Sequence, residues 1–299
     1  MTQVPSEPLV DTLCIVGPGL IGSSVLRAAR ADGLIARRTI ATDIDPAVCA
    51  RVRELDIADE VDTDPSKAVA DADVVMLCVP VGAIAPVARA LYPHLKPGAI
   101  MTDTGSVKRS VLADLDGALP PGAAYVPAHP MAGTEHSGPD AGFATLFVDR
   151  WCLLTPRADT PPDATARIVA LWERLGARTR IMDPEHHDNV CAMVSHLPHL
   201  IAFTICGTAD QLAEDTRGEV LDYAASGFRD FTRVAASDPV MWRDIFLHNR
   251  EALLAMLDRF RADADAMAEA IRHGDADRIV ETIRRGREIR RSLIENRQA

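Results

Sequence analysis

Thr12-Leu13-Cys14-Ile15-Val16-Gly17-Pro18-Gly19-Leu20-Ile21-Gly22 is the stretch whose reading decides the fold. A short apolar run enters a glycine-rich turn, and a helix-like segment from Leu20 to Ala31 leaves it. Glycines cluster by chance, so the G-x-G-x-x-G spacing alone says little. Here a strand precedes, a helix follows, and Asp43 lies 21 residues beyond Gly22, which is the context a dinucleotide site requires. Gly17 permits the tight turn, Gly19 removes a side chain where backbone meets pyrophosphate, and Gly22 lets helix pack on strand. The free N–H groups and positive dipole of the helix N-terminus then face the phosphates. The plainer alternative is an ordinary strand–turn–helix with a glycine-rich corner.

A second strand, residues 38–42, ends at Asp43. A carboxylate there accepts both ribose hydroxyls of NAD and repels the 2′-phosphate of NADP. Arg37 and Arg38 lie at the opposite end of that strand. Asp43 could instead cap the helix that starts near Pro46, but Asp45 is better placed for this. Further strand-like runs follow at 73–79, 99–103 and 124–128, separated by helical stretches near 47–55, 83–93 and 107–117. Such alternation predicts a Rossmann-type α/β fold with a doubly wound, mostly parallel sheet. Parallel strands align their carboxyl ends along one edge, where ligands bind. The loops Pro80-Val81-Gly82, Thr104-Gly105-Ser106 and the segment from His129 to Gly133 should therefore converge. The expected NAD contacts are Gly17, Gly19, Leu20, Ile21, Gly22, Asp43, Val79 and Pro80. Ser106 and His129 are expected beside the cofactor, although either alone could be a capping serine or a surface histidine.

Strands at 151–155 and 178–182, flanking a helix at 162–175, should extend the sheet. Asp183-Pro184 breaks the pattern, so the domains are drawn at 1–183 and 184–299. The second reads as all-α. A long apolar-rich helix from about His187 to Leu212 carries Ser195-His196-Leu197-Pro198-His199, and Pro198 should kink it. His196 and His199 can share a face, yet HxxH lacks zinc spacing and no third ligand is evident, so no metal is expected. His186-His187-Asp188 reads as a polar helix start. Arg229, Asp230 and Arg233 sit in otherwise apolar surroundings, either as an internal salt-bridge cluster or as a carboxylate clamp; the planar fork of arginine favours the clamp. Ser237-Asp238-Pro239 should launch one helix of some thirty residues, from Val240 to about Arg272, with Trp242 and Phe246 on its apolar stripe. A final helix should run to about Asn296. Helices this long leave a second face for a homodimer.

The 299 residues, 47% hydrophobic and 25% charged, describe a globular protein with a sizeable core. No apolar run reads as long enough to cross a membrane, and no secretory signal is evident. The six cysteines are scattered without a CxxC, which suits a reducing cytoplasm. A net charge of −11 argues against nucleic acid or an anionic membrane as partner. An anionic small-molecule substrate would need local arginines.

Four segments together resemble the prephenate/arogenate dehydrogenase family of tyrosine biosynthesis. They are GPGLIGSS at 17–24, TDTGSVK at 102–108, HPMAGTEHSG at 129–138, and SHLPH at 195–199 with GFRDFTRVAASDPVMWRDI at 227–245. The first is common among dehydrogenases; the others are specific. The resemblance implies that His129 is the catalytic histidine with Ser106 its partner. It implies that His199 and Arg233 bind substrate, with Glu135, Asp230 and Trp242 in support; Arg229 stands where relatives have lysine. The implied reaction is oxidation of a cyclohexadienol by NAD with loss of carbon dioxide. A two-domain reductase of the β-hydroxyacid or pyrroline-carboxylate type shares the glycine loop and helical domain, but leans on lysine or serine/threonine. A non-enzymatic NAD-binding sensor would need neither the histidine nor the clamp.

Overall fold

Alternate residues of the first strand, β1 (Val10–Val16), bury on opposite faces. Leu13 and Ile15 enter one apolar cluster, Cys14 and Val16 another. That is the two-residue period of a strand that is apolar on both sides, and it is stable only inside a sheet covered on both sides. The structure is a computed structural model describing residues 7–118, 122–134, 136–212 and 214–295. Beyond β1 it forms α1 (Leu20–Asp32), β2 (Ala36–Thr42), α2 (Pro46–Glu54), β3 (Glu60–Asp62), α3 (Pro65–Ala68), β4 (Val74–Leu77) and α4 (Val81–Leu91). Then come β5 (Ile100–Asp103), α5 (Arg109–Asp114), β6 (Ala124–Pro130), β7 (Trp151–Leu154), α6 (Pro162–Arg174) and β8 (Arg178–Ile181).

The eight strands form one sheet in the order β3-β2-β1-β4-β5-β6-β7-β8. Pairings from β3 through β6 are parallel, β7 runs antiparallel to β6, and β8 is parallel to β7. Helices α1 and α6 supply Val25, Leu26, Ile168, Leu171 and Trp172 to one face. On the other face α4 and α5 supply Ile84, Ala88, Val111 and Leu112. This is the doubly wound sheet expected. Its strand order reverses between β1 and β4, and the glycine turn leaves β1 at that switch point, where the crevice of such sheets lies.

β6 is longer than its apolar run suggested. The antiparallel β7 pairs Leu153 with His129 and Cys152 with Pro130, so His129 stands inside the strand and not in the loop after it. Pairing with β7 holds its backbone on that side, beyond the point where the ladder to β5 ends at Pro127.

The chain continues through α7 (Pro184–Cys191), a π-helical turn at Ala192–His196, α8 (Leu197–Asp210), α9 (Glu214–Asp222), α10 (Ser226–Thr232), a 3₁₀ turn at Arg233–Ala236 and α11 (Pro239–His248). The π turn ends two residues before Pro198, which has no N–H to donate and whose ring crowds the carbonyl four residues back, inside that turn. The proline effect is thus a widened turn within continuous helix. Pro184–Asp210 reaches a mean hydropathy of 1.6 and is long and apolar enough to cross a membrane, which corrects the expectation that no apolar run has that length. That same helix buries His187, Asp188 and His196 in hydrogen bonds within the protein.

The single thirty-residue helix expected after Pro239 is two helices, α11 and α12 (Arg250–His273). Asn249 divides them because its buried Nδ2 donates to Asp188 O and to His196 Nδ1, both at 2.9 Å. Residues through Arg250 form one compact unit. From Glu251 a second unit contains most of α12 and α13 (Ala276–Glu295), joined through Gly274 at φ +65°. Leu254, Phe260, Ile271, Ile283, Ile289 and Ile294 are exposed on these two helices.

Candidate active site

The glycine turn is built for a ligand. Gly17 has φ +83°, and a Cβ there would come within 2.8 Å of Cys78 O and 2.9 Å of Val79 Cγ1. A Cβ on Gly22 would lie 2.7 Å from Ile15 Cγ2, so α1 and β1 could not approach. At Gly19 a Cβ would meet no protein atom within 4 Å. Nothing in the described chain therefore requires a glycine there, and the space beside it is open to a ligand. No side chain caps the N-terminus of α1, where Leu20 and Ile21 are half-buried, so its N–H groups stay available to an anion. Val79 packs against the turn, and Pro80 opens α4.

Asp43 follows β2, and its Oδ1 accepts from Asp45 N at 2.9 Å. The cap of α2 is Asp45, which accepts from Ala47 N at 2.8 Å. Arg37 and Arg38 pair with Asp11 and Glu60. These features fit a ribose-binding carboxylate, and the arginines of β2 are engaged elsewhere.

At the ends of β5 and β6 lies a buried polar network that sequence reading missed. Lys108, fully buried, places Nζ 2.6 Å from Asp103 Oδ2 and donates to Ala128 O at 2.6 Å. Asp103 also accepts from Gly105 N and Ala128 N. Asp188 Oδ1 and Oδ2 accept the backbone N–H groups of Lys108 and Arg109, each at 2.9 Å. The helical segment α7 is thereby tied to the strand-end loop that carries Ser106.

Asp188 is also the end of a chain leading to His129. His187 Nδ1 lies 2.8 Å from Asp188 Oδ1, and His187 Nε2 lies 2.9 Å from His129 Nδ1. A carboxylate only accepts, so His187 Nδ1 carries the proton and its Nε2 is a lone pair. His129 Nδ1 must then donate, which leaves its Nε2 as a lone pair. Burial pushes the His129 pKa well below its ordinary 6.5, and His187, Lys108 and His196 lower it further. The imidazole is therefore neutral at neutral pH, as a proton acceptor must be. The His186-His187-Asp188 reading is corrected accordingly. Asp183 starts that helix, accepting from Glu185 N at 2.8 Å and His186 N at 3.2 Å, while His187 and Asp188 face inward. The available signal was spacing, since His187 and Cys191 are four apart and share a helix face.

Ser106 is half-buried at the end of β5, beside the strand that holds His129, and no hydrogen bond joins the two. His199 donates from Nδ1 to Ser195 O at 2.8 Å and stacks on Trp242 with ring centroids 3.7 Å apart. Phe203 and Phe246 pack around that tryptophan, so Trp242 is a buried platform for His199. Arg229, Asp230 and Arg233 are exposed on α10 and the turn after it, which corrects the expectation of apolar surroundings. Arg233 lies close enough to His199 to lower its pKa, although burial is the larger cause. His199 in turn acts on His196, and His196 on His129. A row of polar groups thus runs from the strand edge to Arg233. Glu135 lies outside the described residues.

Two family models match the chain: prephenate dehydrogenase, nucleotide-binding domain, over residues 26–181, and prephenate dehydrogenase, dimerization domain, over 183–285. A cyclohexadienyl dehydrogenase from Zymomonas mobilis is 45% identical over 94% of this chain and 95% of its own length. The crystal structure of prephenate dehydrogenase from Aquifex aeolicus, in complex with hydroxyphenyl propionate and NAD+, is 31% identical. It matches with a TM-score of 0.88, covering 98% of this chain and all of that one. Synechocystis arogenate dehydrogenase is 28% identical with a TM-score of 0.79, over 94% and 99% of the two chains. With a glycine turn open to a dinucleotide and a buried histidine held neutral at the adjoining strand edge, this chain belongs to the prephenate dehydrogenase family.

Proposed function

We propose that the chain performs NAD-dependent oxidative decarboxylation of prephenate, arogenate or both in tyrosine biosynthesis, with His129 as the base. The carrying observation is the Asp188–His187–His129 chain, which leaves the Nε2 lone pair of His129 free. The substrate is a cyclohexadienol with a ring carboxylate opposite its hydroxyl. His129 Nε2 takes the hydroxyl proton, and the positive charge that develops is shared through His187 toward Asp188. When bound, NAD accepts the hydride released from the same carbon. The ring carboxylate leaves as carbon dioxide, its bonding electrons entering the ring, which becomes aromatic. Ser106 orients the hydroxyl or the imidazole. The lysine-based reductase alternative gains no support from Lys108, whose ammonium is held by Asp103 and Ala128 O and so is not offered to a substrate. Adding prephenate or arogenate with NAD should produce NADH absorbance in step with carbon dioxide; no NADH from either substrate would overturn this reading.

Arg233 and His199 hold the charged groups of the substrate, with Trp242 setting the ring of His199 and Arg229, Asp230 and Glu135 in support. Arg233→Lys keeps the charge and loses the two-pronged geometry. KM should rise about 10–100-fold, the worth of one charge-assisted hydrogen bond, with NAD affinity unchanged. Weakened NAD binding in this variant would argue for a structural arginine.

We assign nucleotide binding to residues 1–183 and substrate contacts and dimerisation to 184–299; family models over 26–181 and 183–285 support a division in this region. The exposed isoleucines and leucines of α12 and α13 support a homodimer, since apolar faces of this extent seek a partner. Light scattering at micromolar concentration should return twice the 32.3 kDa chain mass; a monomer mass would refute it. The free thiols support a cytoplasmic location.

A further inference from the structure

His129, His187 and Cys191 bring three ligand-type atoms together, with 2.9 Å between His129 Nδ1 and His187 Nε2. Cys191 Sγ lies 3.6 Å from the first and 3.5 Å from the second. A tetrahedral zinc ion, with bonds of about 2.0–2.1 Å to nitrogen and about 2.3 Å to sulfur, spans edges of about 3.3 Å (N–N) and about 3.6 Å (N–S). The two sulfur edges already match, and the nitrogen pair has to open by about 0.4 Å. His187 and Cys191 sit one helical turn apart on α7, and Asp188 holds His187 Nδ1 as a carboxylate holds a zinc-bound imidazole. One thiolate with two imidazoles selects Zn²⁺ over Mg²⁺ or Ca²⁺.

We propose that this cluster is a reversible Zn²⁺ site that switches the enzyme off. Metal on His129 Nδ1 moves the remaining ring proton to Nε2, the atom that must be bare to accept the substrate proton. The bond between His129 and His187 is broken at the same time. The Cys191 thiol, which burial pushes up to about 12, loses its proton to solvent as the Zn–S bond forms. Three protein ligands leave a fourth position for water. Entry is on the His129 side, since His187 and Cys191 are fully buried and His129 retains 8% exposure. Inhibition rests on His129 acting as the base; metal binding does not.

Co²⁺ added to the substrate-free enzyme is the direct probe. One equivalent should produce a thiolate-to-cobalt charge-transfer band and tetrahedral visible bands, displaced by Zn²⁺. Cys191→Ser should abolish the charge-transfer band and weaken Zn²⁺ binding at least about 100-fold, beyond what loss of an outer partner costs. Asp188→Asn, which leaves all three ligands in place but also loses one of the backbone N–H groups that the carboxylate accepts, should weaken it about 10–100-fold and keep the band. No band with the wild-type enzyme, or a band that persists in Cys191→Ser, overturns the site. Zn²⁺ that binds with the Cys191-dependent signature and leaves turnover intact would overturn the switch, and with it His129 as the base, while the metal site itself stands.

Discussion

Replacing His129 with Asn should lower kcat by roughly 10²–10⁴-fold while NAD still binds. Asparagine keeps a hydrogen-bonding side chain at that point of β6 but takes no proton. The pH profile separates a base from a brace. Burial first, then the neighbouring His187, Lys108 and His196, hold the pKa of His129 well below 6.5 in the free enzyme. Its neutral, active form therefore persists below pH 6.5, and kcat/KM should fall only further into acid. Anionic substrate beside the ring raises the pKa, so the limb in kcat should lie at higher pH than the limb in kcat/KM. The variant should lose this limb. A folded His129→Asn enzyme with near-normal kcat and the wild-type acid limb would remove the base assignment.

Lys108→Met should destabilise the protein by about 3–5 kcal/mol, the cost of leaving a buried charge unpaired. Asp103 would keep the backbone N–H groups of Gly105 and Ala128 but no cation, at a fully buried position. The urea midpoint should fall with an unchanged slope. Adding Asp103→Asn should restore much of the loss, because a neutral amide needs no counter-charge. If the single and double variants unfold alike, packing of the lysine stem carries the stability and the ion pair does not. The same pair ties the β5 loop to Ala128, one residue before His129, so survivors of the single variant should also show reduced kcat.

The Rossmann sheet was legible in the chain because its evidence is local. A strand apolar on both faces, a glycine turn and a helix fall within some twenty residues, and their order is readable there even though the close approach that demands Gly17 comes from Cys78 and Val79, far along the chain. Asp45 could be read as the helix cap for the same reason, since capping spans only two or three residues, which leaves Asp43 as the proposed ribose acceptor. Parallel strands also put His129 and Ser106 at one edge before any contact was known.

What only the tertiary structure decided lies in pairings far apart in sequence. The antiparallel β7 draws His129 into β6, a matter of strand order. Asn249 breaks a helix that its own periodicity would continue, because Asp188 and His196 take its side chain. Lys108 looks like an ordinary surface lysine at a helix start until Asp103 and Ala128 O surround it. His187-Asp188 looks like a solvated helix start for the same reason. Periodicity and capping act over a few residues, whereas burial of a charge is set by whatever packs over it. The elements and the cofactor could therefore be read from the sequence, and the environment that keeps His129 neutral could not.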